Sequence, residues 1–211
     1  MTKYFVVFDV DSTLIEDEVI ELLADVAGKR AEVAEVTERA MRGELDFAES
    51  LVERVATLAG LPESVFESVL GRVRITQGAK ETIRAIQANG GKVGAVSGGF
   101  SQILTPLAKQ LNLDFHRANE LEVLDGKLTG KVLGDIIDKN AKANALTEWS
   151  NQTGLDQTVA VGDGANDLAM MAIAGLGVAF NAKPIVKEQA DVVLEGNDLR
   201  ELLDVLKITQ Q

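Results

Sequence analysis

The 211-residue sequence contains no cysteine and a single histidine, His116. The first absence excludes a disulfide framework, thiolate zinc sites, iron–sulfur clusters and a cysteine nucleophile. The second excludes a multi-histidine metal centre and a histidine phosphatase. Positive charge is also scarce: 21 Lys and Arg stand against 33 Asp and Glu, a net charge of −12. A surface of that sign repels phosphate backbones and anionic lipid, which argues against nucleic acid and membrane as partners. A small anionic substrate would need a positive site built locally against that field. Long apolar runs are missing too. The N-terminal run Tyr4–Phe8 is cut by Asp9, too early for a signal segment or a membrane span. Together these absences lead us to expect a soluble, cytoplasmic protein.

What remains is ordinary globular composition, 46% apolar and 26% charged. A chain of this length can bury roughly 70% of its unfolded surface, so it folds without a metal or disulfide staple. YFVVF (4–8), KVGAV (92–96), TVAVG (158–162), LGVAF (176–180) and DVVLE (191–195) read as short buried strands. Helical patterns lie between several of them, including one at about 79–89. Alternation of this kind predicts an α/β fold with a parallel, Rossmann-like sheet covered on both faces. Residues 14–75 are too long and too helical to be one crossover. They read as an inserted small helical domain, leaving 1–13 and 76–211 as the core. Asp125-Gly126 lies between two alternating segments and predicts a β-hairpin flap over 119–133.

Three clusters sit at predicted strand ends, where parallel sheets bind ligands. Asp9-Val10-Asp11-Ser12-Thr13 follows the first strand, and Gly162-Asp163-Gly164-Ala165-Asn166-Asp167 follows another. Convergent carboxylate oxygens are the ligand type for Mg²⁺. Each cluster alone also fits a turn that caps a helix, with Asn166 or Asp167 as N-cap of LAMMAIA. Ser97-Gly98-Gly99-Phe100 lies between KVGAV and a helix; such a junction is either a plain turn or a cradle of N–H groups for an anion.

Three further charges stand out by position. Arg54 shares a stripe with Phe47, Leu51 and Leu58 in a helix over 46–59, and Lys142 shares one with Ala145, Leu146 and Trp149. Either side chain could snorkel to water, or both heads could meet in an enclosed anion site. Glu18 flanks the stripe Val19, Leu22, Leu23 and Val26 in a helix over 16–27, where a first-turn acid also suits the helix dipole. His116 has no partner of its own type and receives no role.

Taken in order, FDVDSTLI, SGGF, Lys142 and GDGAND resemble the four motifs of the haloacid dehalogenase (HAD) superfamily of aspartate-nucleophile phosphatases. DVDSTLI followed by EVIELLA, the SGGF form of the second motif and AFNAKPIVKEQADVVLE are similar to its phosphoserine phosphatase branch. The resemblance implies Asp9 as nucleophile and Asp11 as general acid and base. It implies Mg²⁺ held by Asp9, the Asp11 backbone carbonyl and Asp163. Ser97, Gly98 and Lys142 would bind phosphate, with Gly99 and Asp167 in support. Glu18, Arg54, Met41, Phe47 and Asn166 would contact the substrate, Glu18 taking its ammonium and Arg54 its carboxylate. The insert would be the cap. Ser12 stands where many members have glycine, in agreement with the phosphoserine branch. Some members carry an extra N-terminal regulatory domain; this chain starts at its first strand, so feedback through one is not expected. The implied activity is hydrolysis of phosphoserine through an aspartyl-phosphate. A phosphotransferase, a phosphatase for another small phosphomonoester and a phospho-accepting receiver module are the alternatives. The second acid and the insert of about 60 residues argue against the receiver.

Overall fold

A computed structural model describes residues 2–41 and 44–209, of Met41 the backbone only. Its strands are β1 (Phe5–Phe8), β2 (Lys92–Phe100), β3 (Phe115–Leu124), β4 (Lys127–Leu133), β5 (Thr158–Gly162), β6 (Leu176–Phe180) and β7 (Val192–Leu194). They form one sheet in the order β4-β3-β2-β1-β5-β6-β7. Pairing is parallel except between β3 and β4. β1 lies at the centre, with Phe5 opposite Lys92 on one side and Thr158 on the other. All four of its side chains are fully buried, because helices cover both faces and a Phe/Val run satisfies both.

The two-residue alternation of β1 divides the core. Val6 and Phe8 pack with side chains of α5 (Ala79–Ala88), α6 (Ser101–Leu111) and α10 (Glu201–Leu206). Phe5 and Val7 pack with those of α7 (Lys139–Thr153), α8 (Leu168–Ile173) and α9 (Pro184–Lys187). Trp149 of α7 stacks on Phe115, which meets Phe5 edge-on. Among the described residues, no helix is long and apolar enough to cross a membrane.

Between β1 and α5 run four helices: α1 (Val19–Val26), α2 (Arg30–Met41), α3 (Phe47–Ala56) and α4 (Val65–Leu70). Asp46 starts α3 through a reciprocal capping box with Glu49, at 2.8 and 2.9 Å. The chain enters and leaves this insert side by side. Ile15 bridges Ile75, and the Thr76 N–H donates to the Leu14 carbonyl at 3.0 Å. A second attachment lies at the hairpin, where Asp125 (φ 51°) and Gly126 (φ 72°) make the turn. Three backbone bonds tie that hairpin to the loop between α3 and α4: Gly60 N–H to Leu128, Leu128 N–H to Leu61 and Glu63 N–H to Gly126, at 2.8–2.9 Å.

Three expectations need correction. Ser97-Gly98-Gly99-Phe100 is not a junction after a strand that stops at Val96: β2 runs through to Phe100, and α6 begins at Ser101. The hairpin's first strand starts at Phe115, not 119, because its first residues extend the parallel sheet beside β2. α1 begins at Val19 rather than 16, since Glu16 and Asp17 lie in the connector and pair with Arg74. Its buried stripe is therefore Val19, Ile20, Leu23 and Ala24, and Val26 is exposed.

Candidate active site

The backbone leaving β1 stays extended at Asp9 (φ −65°, ψ 165°) and Asp11 (φ −65°, ψ 133°), then turns at Ser12 into the left-handed region (φ 57°). Asp9 and Asp11 thereby face one cavity of about 710 Å³, which Asp163 also lines from the sheet side. Glu18, Phe47 and Arg54 line it from the insert. The turn costs Ser12 some strain, on the order of 1 kcal/mol. Its hydroxyl donates to Glu18 Oε1 at 2.7 Å, holding that otherwise exposed carboxylate at the cavity rim.

Lys142 is fully buried beneath this floor, and its ammonium donates to Asp9 Oδ1 at 2.5 Å and to Asp167 Oδ1 at 2.7 Å. Its stem packs beside Ala145, Leu146 and Trp149, so the apolar stripe of α7 delivers a charge inward rather than to water. Asp167, also fully buried, accepts from the Gly164 N–H at 3.1 Å with its other oxygen. It occupies the N-cap position of α8 without capping that helix through its side chain.

Oxygens of Asp9, Asp163 and Asp167 lie within 4.8 Å of one another. Three ionised carboxylates would outnumber the one buried ammonium by two charges. Burial and Asp167 push the Asp9 carboxyl well up, against the pull of Lys142. Burial pushes Asp163 up to about 6; Lys183 pulls it back while Asp167 and Glu18 add to the rise. Asp11 rises to about 7, mainly through burial and then Glu18, against the bond from the Val19 N–H. Such a donor set, hard, buried and short of positive charge, fits a divalent cation. Each oxygen of Asp167 already accepts one hydrogen bond, whereas Asp9 keeps one oxygen, and Asp163 both, without a hydrogen bond among the described residues.

The second motif forms the facing edge. The Ser97 hydroxyl accepts from the Gly99 N–H at 2.8 Å and lies 3.5 Å from Asp11 Oδ2. A side chain at Gly99 would come within 2.9 Å of Asp11 Oδ2, and one at Gly98 within 2.9 Å of the Phe47 ring, so a larger residue at either position would displace a group that lines the cavity. Asn166 lines the cavity. Arg54 spends its Nε on the Ser50 carbonyl (3.2 Å), and among the described residues its two terminal nitrogens donate no hydrogen bond. Burial lowers its pKa, while Glu18 and Asp11 oppose the change. The side chain of Met41 lies outside the described residues. His116 meets the Thr105 hydroxyl at 3.2 Å on the surface.

Sequence reasoning passed over two residues here. Lys183 borders the cavity, and its backbone N–H donates to the Asp163 carbonyl at 3.0 Å. Asn119, buried in β3, donates to the Gly98 carbonyl and accepts from the Ile137 N–H, both at 2.8 Å. An asparagine inside an otherwise strand-like run was the available signal.

A parallel sheet that gathers buried aspartates and a lysine at its strand ends is the setting of a phospho-group hydrolase. The chain belongs to the haloacid dehalogenase-like hydrolase family, whose model matches residues 6–172. It is 52% identical to a phosphoserine phosphatase of Streptococcus thermophilus, covering 97% of this chain and 96% of that one. It is 54% identical to a Mycobacterium tuberculosis phosphoserine phosphatase across 99% of this chain, but spans only 52% of that protein's length. A solved phospho-aspartyl intermediate analogue of phosphoserine phosphatase superposes with a TM-score of 0.90 at 44% identity, covering 97% of this chain and 99% of that one.

Proposed function

We propose that this chain is a Mg²⁺-dependent phosphoserine phosphatase of the reducing cytoplasm that works through an aspartyl-phosphate. The reading is carried by one cavity with two inequivalent aspartates on its sheet side and an under-satisfied arginine opposite. The names of the relatives support it, and so does the phospho-aspartyl analogue among the structural neighbours. It is a phosphoric monoester hydrolase in reaction class.

Asp9 attacks phosphorus. Lys142 fixes one of its oxygens, and the other accepts no hydrogen bond among the described residues, so it is free to form the P–O bond. As the bond from phosphorus to the serine oxygen breaks, Asp11 gives that oxygen its proton. Burial of Asp11, the main cause of its raised pKa in the metal-free protein, favours the protonated form until then. Water next attacks the phosphorus of the aspartyl-phosphate, Asp11 takes the water's proton, phosphate departs and Asp9 is restored. Lys142 has three N–H donors and uses two on carboxylates, leaving one for a phosphoryl oxygen. The Ser97 hydroxyl and the Gly98 backbone complete that anion site. Asp9, Asp163 and the Asp11 carbonyl would hold Mg²⁺, which when bound neutralises charge on the phosphoryl group. Arg54 pairs with the serine carboxylate and Glu18 with its ammonium. Phe47, lying over Gly98, excludes water, and the four-helix insert acts as the cap.

The test is phosphate release from a panel of phosphomonoesters, with Mg²⁺ or with chelator, and with or without an added alcohol as acceptor. We expect Mg²⁺-dependent release that favours phosphoserine over aryl phosphates. No release from any ester, or full activity after chelation, would overturn the reading; transfer to the alcohol would make the protein a phosphotransferase.

A further inference from the structure

We propose that Asn119 is a positioning residue that sets both halves of the phosphate site through one side chain. The proposal rests on the reading that Ser97 and Lys142 hold the phosphoryl group. β2 and β3 pair in register at Gly94–Val96 and again at Phe100 opposite Asn119, with an irregularity between Val96 and Phe100. The stretch that slips past the ladder, Ser97-Gly98-Gly99, is the second motif. Its backbone groups cannot all be met by the neighbouring strand, and buried backbone groups left unmet are costly.

Asn119 takes the place of the missing rung. It is 1% exposed, and its amide nitrogen donates to the Gly98 carbonyl at 2.8 Å. A trans peptide is planar, with its C=O and N–H pointing in opposite directions. Fixing the Gly98 carbonyl on one side therefore aims the Gly99 N–H the other way. That N–H donates to the Ser97 hydroxyl at 2.8 Å, beside Asp11. The orientation of the Ser97 hydroxyl is thus set from the far side of the peptide, by a residue that does not line the cavity.

The other end of the same amide serves the lysine. Asn119 Oδ1 accepts from the Ile137 N–H at 2.8 Å. Ile137 precedes Asp138, whose carboxylate caps α7 by accepting from the N–H groups of Asn140 and Ala141. Lys142 lies in that first turn. One buried amide consequently fixes the distance between the segment bearing Ser97 and the helix bearing Lys142. Among the described residues its side chain makes no other hydrogen bond, so its two ends act as a spacer between two phosphate-binding groups.

The expected signature is a loss indifferent to the organic part of the substrate. Asn119→Asp is nearly isosteric, keeps the acceptor for Ile137 and loses the donor for Gly98; Asn119→Ala loses both. Misplacement of a site by about 1 Å can cost about 100-fold. We expect kcat/KM to fall about 10–100-fold for Asn119→Asp, by the same factor on phosphoserine and on an aryl phosphate. The inhibition constant of inorganic phosphate should rise in parallel, while melting shows a folded protein. Ser97→Ala serves as reference, joined by Lys142→Met where melting shows that variant to be folded. If they are impaired while Asn119→Asp keeps wild-type kcat/KM and phosphate inhibition, the positioning role is wrong and the underlying site stands. If the reference variants are themselves unimpaired, the site reading fails instead. Failure of both Asn119 variants to fold would assign the residue to the fold alone and overturn the proposal.

Discussion

On the sheet side of the cavity the charged groups answer one another. Lys142, Asp9 and Asp167 are buried, and the ammonium holds both carboxylates at 2.5 and 2.7 Å. On the insert side the opposite holds: Glu18 is exposed and held by one hydroxyl, and Arg54 keeps both terminal nitrogens free among the described residues. The difference separates two tasks. Groups that stabilise developing charge must be fixed before the substrate arrives, because reorganisation during the reaction costs rate. Groups that recognise the substrate must have bonding capacity left for it.

The comparison can be broken most severely on the sheet side. Asp9→Asn should abolish turnover while keeping the fold, since an amide is a poor nucleophile in the place of a carboxylate. Steady-state phosphate release checks this, and activity not traceable to deamidation would refute it. Asp11→Asn should slow both leaving-group protonation and intermediate hydrolysis, by about 10²–10⁴-fold.

Insert-side changes should be smaller and selective. On the proposed reading, Arg54→Ala would remove a bidentate partner for the substrate carboxylate, and hydrogen bonds to charged groups are worth about 1.5–3 kcal/mol. At roughly 1.4 kcal/mol per decade, kcat/KM for phosphoserine should drop about 10–100-fold. The drop on an aryl phosphate, which has no carboxylate, should be far less. Glu18→Gln should discriminate likewise through the ammonium. Equal losses on both substrates would erase the distinction between the two walls.

The smallest effect is one of stability. Asp11 and Asp163 have folded-state pKa values of about 7 and 6, above the roughly 3.9 of an unfolded aspartate. Folded protein thus binds these protons more tightly than unfolded chain, and metal-free protein should lose melting temperature as pH rises from about 4 to 7. The depressed carboxyls Asp17 and Asp114, held down by Arg74 and Lys92, act below that window. Mg²⁺ should restore more stability at pH 8 than at pH 5, and Asp11→Asn should flatten the slope. Thermal melts over that range decide the matter; a metal-free protein that gains stability between pH 5 and 7 would contradict it.

Much of this was legible in the chain itself. Asp9 cuts an apolar run, so a buried strand ending in a carboxylate could be read directly. Lys142 and Arg54 declared themselves as charges on apolar stripes. The phase of α1 could not be read, because Arg74, far along the chain, decides where that helix begins. Nor could the extent of β2: two glycines suggest a turn, whereas here they allow Asp11 and Phe47 to approach an extended strand. Asn119 stayed hidden because its partners are backbone groups: the Gly98 carbonyl, which the slip in β2–β3 pairing leaves vacant, and the Ile137 N–H ahead of α7. Ser12 was noted as a departure from glycine, but its hold on Glu18 depends on a dihedral angle the sequence does not carry.

The burial of Lys142 between two acids also bears on how this sequence can change over generations. Removing one member of a buried ion cluster typically destabilises by about 3–5 kcal/mol, against a total stability of roughly 5–15 kcal/mol for a natural domain. A lineage that loses Lys142 alone leaves Asp9 and Asp167 buried without their counter-ion and thus crosses a state near the limit of folding, quite apart from lost activity. Replacing all three with well-packed apolar residues need not be destabilising. Combined substitutions at Lys142, Asp9 and Asp167 should therefore be far from additive in their effect on stability, which obstructs gradual drift toward another chemistry at the first step.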